Sequence, residues 1–406
     1  MNASMFGALL HRHVWQRLPR DSRREAAVRV AALLAPRPSL DPIPAAGPII
    51  VAGYLRAATG LGQSARLCLE ALRSAGLPAY GYDLSGPFRQ GKAIDVDGLA
   101  DPQADFAGPG ALILHVNAPF VPMALRLLPR RWIRGKLVVG YWAWELPGLP
   151  ALWRVGAPFV HEVWTPSRFV SSAVSADLPE LPVHTVAHPV ALRAPAAKVP
   201  SEDGRLRVLT MLNIASSFAR KNPLAAVAAF REAFGKDPSC HLTIKVQNGA
   251  AYPEGHRRLL ETVADMPNVT VDERTLAPGE VVAMVARHDV LLSLHRSEGF
   301  GLHLAEAMLA GLVVVATDWS GSTDFIRPDW AMPVPYRLVP AADPQGDYDQ
   351  SELRWAEADV GAAAEALRGL RDPAVRAPLG RRAQAEAQAM FSASAYAARV
   401  RALLGR

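Results

Sequence analysis

Two successive series of short apolar runs, each alternating with helical segments, constrain this chain more than any other feature. The first series begins at Pro48. Ile49-Ile50-Val51-Ala52 reads as a buried strand, and the runs 111–116, 137–141, 162–165 and 183–186 read as further strands. Gln63 to Ser74 has helical spacing through Ala65, Leu69 and Leu72, and Gly76 ends it. The second series follows the charged stretch Ser201-Glu202-Asp203-Gly204. Its strands are expected at 206–211, 241–246, 269–271, 290–294 and 313–316. Asn222 is a good N-cap for its first helix, and Pro223 suits the first helical position. From about Glu352 an alanine-rich pattern predicts helix to the end. Continuous apolar strands alternating with helices imply a parallel sheet covered on both faces. The expected fold class is therefore α/β, with two Rossmann-like parallel-sheet domains facing a central cleft and a helical C-terminal tail. The boundaries expected are 1–45 for a basic N-terminal segment and linker, 46–200 and 201–385 for the two domains, and 386–406 for a last helix packing back on the first domain.

Composition narrows the function classes. The chain has 406 residues, half of them hydrophobic, which is enough for two cores and excludes a disordered chain. Two cysteines, Cys68 and Cys240, build neither a disulfide framework nor a zinc site. No apolar run approaches the roughly 18 residues of a membrane span, and no secretory signal pattern opens the chain. A cytoplasmic protein is expected. The 44 basic and 38 acidic residues give a net charge of +6, which suits anionic ligands. No basic run with interleaved aromatics is present, so no nucleic-acid partner is expected. The first 45 residues carry Arg12, Arg17, Arg20, Arg23, Arg24 and Arg29, then a cluster of prolines. This predicts a basic helix and an extended linker. Such a helix either packs on the first domain or makes peripheral membrane contact.

The most informative stretch runs from Ser293 to Glu306. A strand ends near Leu294, a loop carries Glu298 and Gly299-Phe300-Gly301, and a helix beginning near Leu302 carries Glu306. Glycines let the backbone approach a ligand closely, and a helix N-terminus offers free N–H groups to an anion. The flanking carboxylates are acceptors suited to sugar hydroxyls. Two glutamates eight positions apart around Gly-Phe-Gly, late in the second series, resemble the signature of retaining GT-B glycosyltransferases of the family 4 type. The resemblance covers roughly residues 48 to 400. It implies a GT-B fold, a nucleotide diphosphate sugar donor, a saccharide or lipid-linked saccharide acceptor, and no cofactor.

Other segments fit that frame. Arg220 and Lys221 stand directly before a helix N-terminus, where cations and a helix dipole converge as a diphosphate requires. Lys221 matches the family's diphosphate lysine. The family's earlier arginine is missing, since the chain there reads Asn213-Ile-Ala-Ser-Ser, and Arg220 is expected to substitute. Gly60 and Gly62 open the first helix of the first domain. The resemblance places them opposite the donor phosphates, while a dinucleotide fingerprint, with Asp83 as its acid, competes. The segment Gly140-Tyr-Trp-Ala-Trp-Glu145, with Trp164-Thr-Pro-Ser167 after it, resembles a first-domain element of the same group. Trp142 stands where many relatives have histidine, so His115, Trp142 and Glu145 are the acceptor-side candidates. Lys245 ends a buried strand and is a further donor-side candidate. No Asp-x-Asp motif lies in a manganese-binding context, so no metal is expected.

By this resemblance Lys221 and Arg220 stabilise the leaving diphosphate, Glu298 holds donor-sugar hydroxyls, and Glu306 holds the ribose. The default role is bacterial surface polysaccharide or glycolipid synthesis. The competing readings are a nucleotide-sugar epimerase, a phosphorylase, a catalytically silent sugar-binding scaffold on the same fold, and a dinucleotide-dependent oxidoreductase.

Overall fold

A computed structural model describes residues 19–44, 47–91, 94–192 and 204–405. Arg12, Arg17 and most of the charged stretch before Gly204 lie outside the described residues. The first sheet contains β1 (Ile49–Gly53), β2 (Ala79–Asp83), β3 (Ala111–His115), β4 (Leu137–Tyr141), β5 (Glu162–Thr165) and β6 (Val183–Thr185). All pairs are parallel, in the order β2-β1-β3-β4-β5-β6. The second contains β7 (Leu206–Asn213), β8 (Cys240–Gln247), β9 (Val269–Asp272), β10 (Val290–Ser293), β11 (Val313–Thr317) and β12 (Met332–Val334). It too is parallel, in the order β12-β11-β10-β7-β8-β9.

The apolar runs explain the layering. Every residue of β1, β3, β4 and β11 is buried, because both faces of each sheet are covered by helices. Alternate side chains enter different cores. Ile50 and Ala52 pack on one face of the first sheet, Ile49 and Val51 on the other. Leu292 and Val315 divide from Leu291 and Val314 in the same way in the second sheet.

The C-terminal helices join the two sheets. The helix Pro373–Met390 lies on the second sheet through Ala383 and Ala387. The helix Ala393–Leu404 crosses to the first, where Tyr396, Val400 and Leu404 join the core of Ile49 and Val51. Arg401 donates to the Ala75 carbonyl at 2.7 Å. The N-terminal helix Arg20–Leu34 packs on the first domain through Val28 and Ala31.

One expectation is overturned. The chain is not helical from Glu352. An antiparallel hairpin, β13 (Tyr336–Ala341) and β14 (Gln350–Ala358), precedes the helices, which begin at Val360. Trp355 of β14 is buried in the first-domain core, and that burial, with the ladder to β13, outweighs the helix propensity of the Ala-Glu-Ala sequence.

Candidate active site

The second sheet changes direction between β7 and β10, and at such a switch the loops beyond adjacent strand ends form a crevice. This topology brings together two segments far apart in sequence. The loop after β7 turns through Ser217, at φ 73°, into the short helix Phe218–Lys221. Asn222 then takes a left-handed conformation before the helix Pro223–Phe234. It does not cap that helix with its side chain, contrary to expectation. Its amide donates instead to Glu357 at 3.2 Å. Arg296, after β10, fastens the two loops: it donates to the Ala219 carbonyl at 2.6 Å and pairs with Glu357 at 2.6 Å.

A cluster of charges results. Lys221 Nζ donates to Glu298 Oε1 at 2.5 Å, and Arg220 Nη1 lies 3.3 Å from Glu298 Oε2. Arg220 is buried. Its guanidinium also donates to the Ser297 and Ser216 carbonyls at 2.8 and 2.9 Å and lies over the Tyr348 ring at 5.1 Å. Tyr348, from the β13–β14 connection, donates to Glu145 of the first domain at 2.9 Å. Glu145 itself lies 4.0 Å from Arg220. Burial works against the charge of Glu298, yet Lys221 and Arg220 outweigh it and hold the carboxyl well below the usual carboxylate range. Burial lowers Lys221, opposed by Glu298. Burial also pushes His303 to about 3 and His295 to about 4, so both imidazoles are neutral near pH 7.

The glycine loop lies at the seam of the two domains. A Cβ on Gly299 would stand 2.9 Å from the Trp144 carbonyl oxygen, and one on Gly321 would stand 2.2 Å from the Gly299 carbonyl oxygen. Gly301, at φ 95°, begins the helix Leu302–Leu309 without a side-chain cap, leaving its first amides unclaimed by side chains. The Phe300 ring points inward against His188, Phe325 and Phe391. Glu298 N donates to Ser320 Oγ at 2.8 Å. Besides the Glu145 contacts, Ser167 Oγ donates across the seam to the Gly299 carbonyl at 2.6 Å, Gln63 Nε2 to Glu306 Oε1 at 2.6 Å, and Arg168 pairs with Asp324 at 2.9 Å.

A family model described as family 4 glycosyltransferase in conflict systems matches residues 168–379, more than half of the chain. The chain belongs to this glycosyltransferase family. No curated protein matches it in sequence. Solved GT-B structures share its fold. Sucrose-phosphate synthase from Thermosynechococcus elongatus, 16% identical, superposes with a TM-score of 0.64 over 88% of this chain and 98% of its own. Anabaena Alr3699/HepE, solved in complex with UDP and glucose, is 12% identical with a TM-score of 0.59, covering 89% of this chain and 100% of its own. S. aureus TarM is 14% identical with a TM-score of 0.55 over 73% of this chain, which spans 55% of TarM's length.

Within this glycosyltransferase-family fold, the cluster gathers Arg220, Lys221, Glu298, Gly299, Gly301 and Glu145, with Leu302 and Glu306 on the adjoining helix. Gly60 and Gly62 open the helix that carries Gln63 to Glu306. A Cβ at Gly62 would stand 2.4 Å from the Ala57 carbonyl oxygen, so that glycine serves the turn. Several sequence candidates are not brought to the cluster. Lys245 is buried between β8 and β9, where its ammonium donates to the Asp272 and Arg274 carbonyls, because the loop after β9 folds back over it. His115 is fully buried, bonded through Nδ1 to Ser64 Oγ at 2.8 Å and stacked on Tyr141. Trp142 is enclosed in the first-domain core, edge-on to Trp153. Asp83 ties its own turn together, accepting from Ser85 and the Arg56 amide.

Sequence reading missed Tyr348, Gln63, Ser320, His303 and the Arg296–Glu357 pair. Gln63 follows Gly62 directly. Tyr348 had no signal, since its loop is irregular. Among the described residues, no group of three histidine, cysteine, aspartate or glutamate side chains is arranged to hold a metal ion.

Proposed function

We propose that this protein is a retaining, metal-independent glycosyltransferase moving a sugar from a nucleotide diphosphate sugar to a hydroxyl acceptor, a saccharide or lipid-linked saccharide. The observation that carries this reading is the convergence of Arg220, Lys221 and Glu298 beside the Gly299–Gly301 loop. Two cations and a helix N-terminus suit a diphosphate, and an ionised carboxylate within 3.3 Å of both suits the hydroxyls of the attached sugar. UDP accompanies the sugar in the HepE complex, so a uridine diphosphate sugar is the first donor to test.

In this mechanism the diphosphate shares Lys221 and Arg220 with Glu298. As the bond from the anomeric carbon to the phosphate oxygen breaks, both cations stabilise the charge growing on that oxygen, in a site from which water is excluded. The acceptor hydroxyl attacks from the same face, and its proton passes to the departing phosphate. The anomeric configuration is then kept. Glu306, once released by Gln63, holds the ribose. Glu145 and Trp144 flank the acceptor side.

The test is product analysis. Incubation with nucleotide sugars and hydroxyl acceptors should release the nucleoside diphosphate and give a glycoside whose anomeric proton coupling matches the donor. An inverted product would refute retention. Donor binding without any release of nucleotide would instead favour the silent scaffold.

A further inference from the structure

A second charged concavity lies on the first domain, lined by Ala107, Gly108, Arg130, Arg131, Arg134 and Gly135, with a volume of about 510 Å³. Residues 106–144 include Arg126, Arg130, Arg131, Arg134 and Lys136 but no aspartate or glutamate, and Asp105, just before them, acts on Lys136. Lys136 is turned inward and spends its ammonium on the Phe106, Gly108 and Pro109 carbonyls, which builds the wall. Arg131 donates to the Pro102 and Ala104 carbonyls. Arg130 and Arg134 are exposed at the mouth, and among the described residues neither is held in an ion pair with a carboxylate.

The rim of this cavity carries exposed apolar side chains on either side of one exposed acidic residue, Asp41. The Gly135 amide donates to Ser39 Oγ at 3.0 Å, and the Gly135 carbonyl accepts from Ile43 N at 3.1 Å. The linker 39–43 therefore lies along the cavity wall, where Leu40 is 95% exposed and Ile43 56%. The N-terminal helix leads into this linker. It buries Val28 and Ala31 but turns Val30, Leu33 and Leu34, at helical spacing i, i+3 and i+4, to solvent, with Leu33 84% exposed. The five most exposed large apolar side chains of the described residues thus fall within residues 30–43, and two of them, Leu40 and Ile43, lie on the linker bonded to Gly135 of the cavity.

We propose that this face docks on an anionic phospholipid surface, with a headgroup phosphate in the arginine cavity and Leu33, Leu34, Leu40 and Ile43 entering the headgroup boundary. Guanidinium groups match phosphate oxygens in geometry and charge. Apolar side chains beside a cationic patch are what an interfacial contact requires, whereas a site for free phosphate has no use for them. A second copy of the chain in a two-fold contact would set these arginines against themselves. The face is separate from the Lys221–Glu298 cluster, so the inference stands whether or not the transfer reading holds.

The test is sedimentation of the full chain with vesicles containing phosphatidylglycerol and with vesicles of phosphatidylcholine alone. Binding is expected to the anionic vesicles only, and to weaken as salt rises. The double variant Arg130→Glu/Arg134→Glu should weaken it by about tenfold or more. Leu33→Ser/Leu40→Ser should leave only binding that salt abolishes. All four positions are exposed, and unchanged unfolding midpoints would show that the variants fold. Three results would overturn the proposal: no anionic-vesicle binding at low salt; stabilisation by inorganic phosphate through Arg130 and Arg134 without vesicle binding, which marks a free-anion site; or self-association lost in Leu33→Ser/Leu40→Ser, which marks a contact between copies.

Discussion

Gln63 of the first domain donates to Glu306 of the second at 2.6 Å. Burial raises the Glu306 carboxyl and this hydrogen bond opposes the shift. If Glu306 holds the donor ribose, Gln63 competes with it. Gln63→Ala should therefore tighten nucleotide binding by a few-fold, while costing about 1–2 kcal/mol of stability for a hydrogen bond to a carboxylate. Glu306→Ala should weaken binding. Calorimetric titration checks both signs, and a weaker Gln63→Ala complex would remove Glu306 from the ribose role.

Tyr348 links Arg220 to Glu145, and so joins the proposed diphosphate grip to the proposed acceptor side. Tyr348→Phe keeps the ring beneath the guanidinium and loses only the bond to Glu145. Tyr348→Ala loses both. A cation–π contact of about 0.5–2 kcal/mol corresponds to roughly two- to thirtyfold in kcat/KM. The alanine variant should lose that factor relative to phenylalanine, as steady-state rates would reveal. Equal losses would make the hydroxyl the decisive group.

Histidines lowered by burial, His288 among them, set the acid side of stability. Burial brings His188 and His303 to about 3 and His295 to about 4, and His115 lies well below its ordinary value. The unfolded chain takes up these protons below about pH 6.5 while the folded chain does not. Stability should then be fully present above pH 6.5 and fall as pH drops towards 4, with each histidine adding up to about 1.4 kcal/mol per pH unit. Denaturant unfolding from pH 7 to 5 measures this slope, and a flat profile would show that the imidazoles are protonated in the fold.

The glycine loop depends on close backbone approach. A Cβ at Gly321 meets the Gly299 carbonyl oxygen at 2.2 Å, a backbone atom that cannot swing aside. At Gly301 the nearest atom is the flexible end of Leu304, at 2.8 Å, and the cost is chiefly the left-handed backbone, about 1–2 kcal/mol. Gly321→Ala should therefore destabilise more than Gly301→Ala in urea unfolding. The reverse order would mean that the 318–324 loop yields easily.

Much of this molecule is legible in its sequence. The apolar run at 137–141 coincides with β4, because a strand buried on both faces needs an unbroken apolar run, and the strand expected at 162–165 coincides with β5. Glu298 and Lys221 are also legible, since each stands in a local pattern of glycines or cations beside a helix start. Residues decided by distant packing are not. A strand-end lysine reads alike whether it faces a cleft or, as Lys245 does, caps the carbonyls of a neighbouring loop. Trp142 and Trp144 read alike, yet one is sealed in a core and the other packs on Tyr348. Tyr348 comes from a hairpin whose sequence alternates poorly and whose pairing alone makes it a strand.

The measurement that tests the central claim most directly is a thermal-shift panel of nucleoside diphosphates and their sugars on the wild type and Lys221→Ala. A ligand at a hundredfold excess over its Kd stabilises the folded state by about 2.7 kcal/mol. The account predicts a shift with one nucleotide diphosphate sugar that is lost in Lys221→Ala, a variant that still folds. No shift with any of them in folded wild type, or an equal shift in Lys221→Ala, would contradict a donor site built on Lys221 and Glu298.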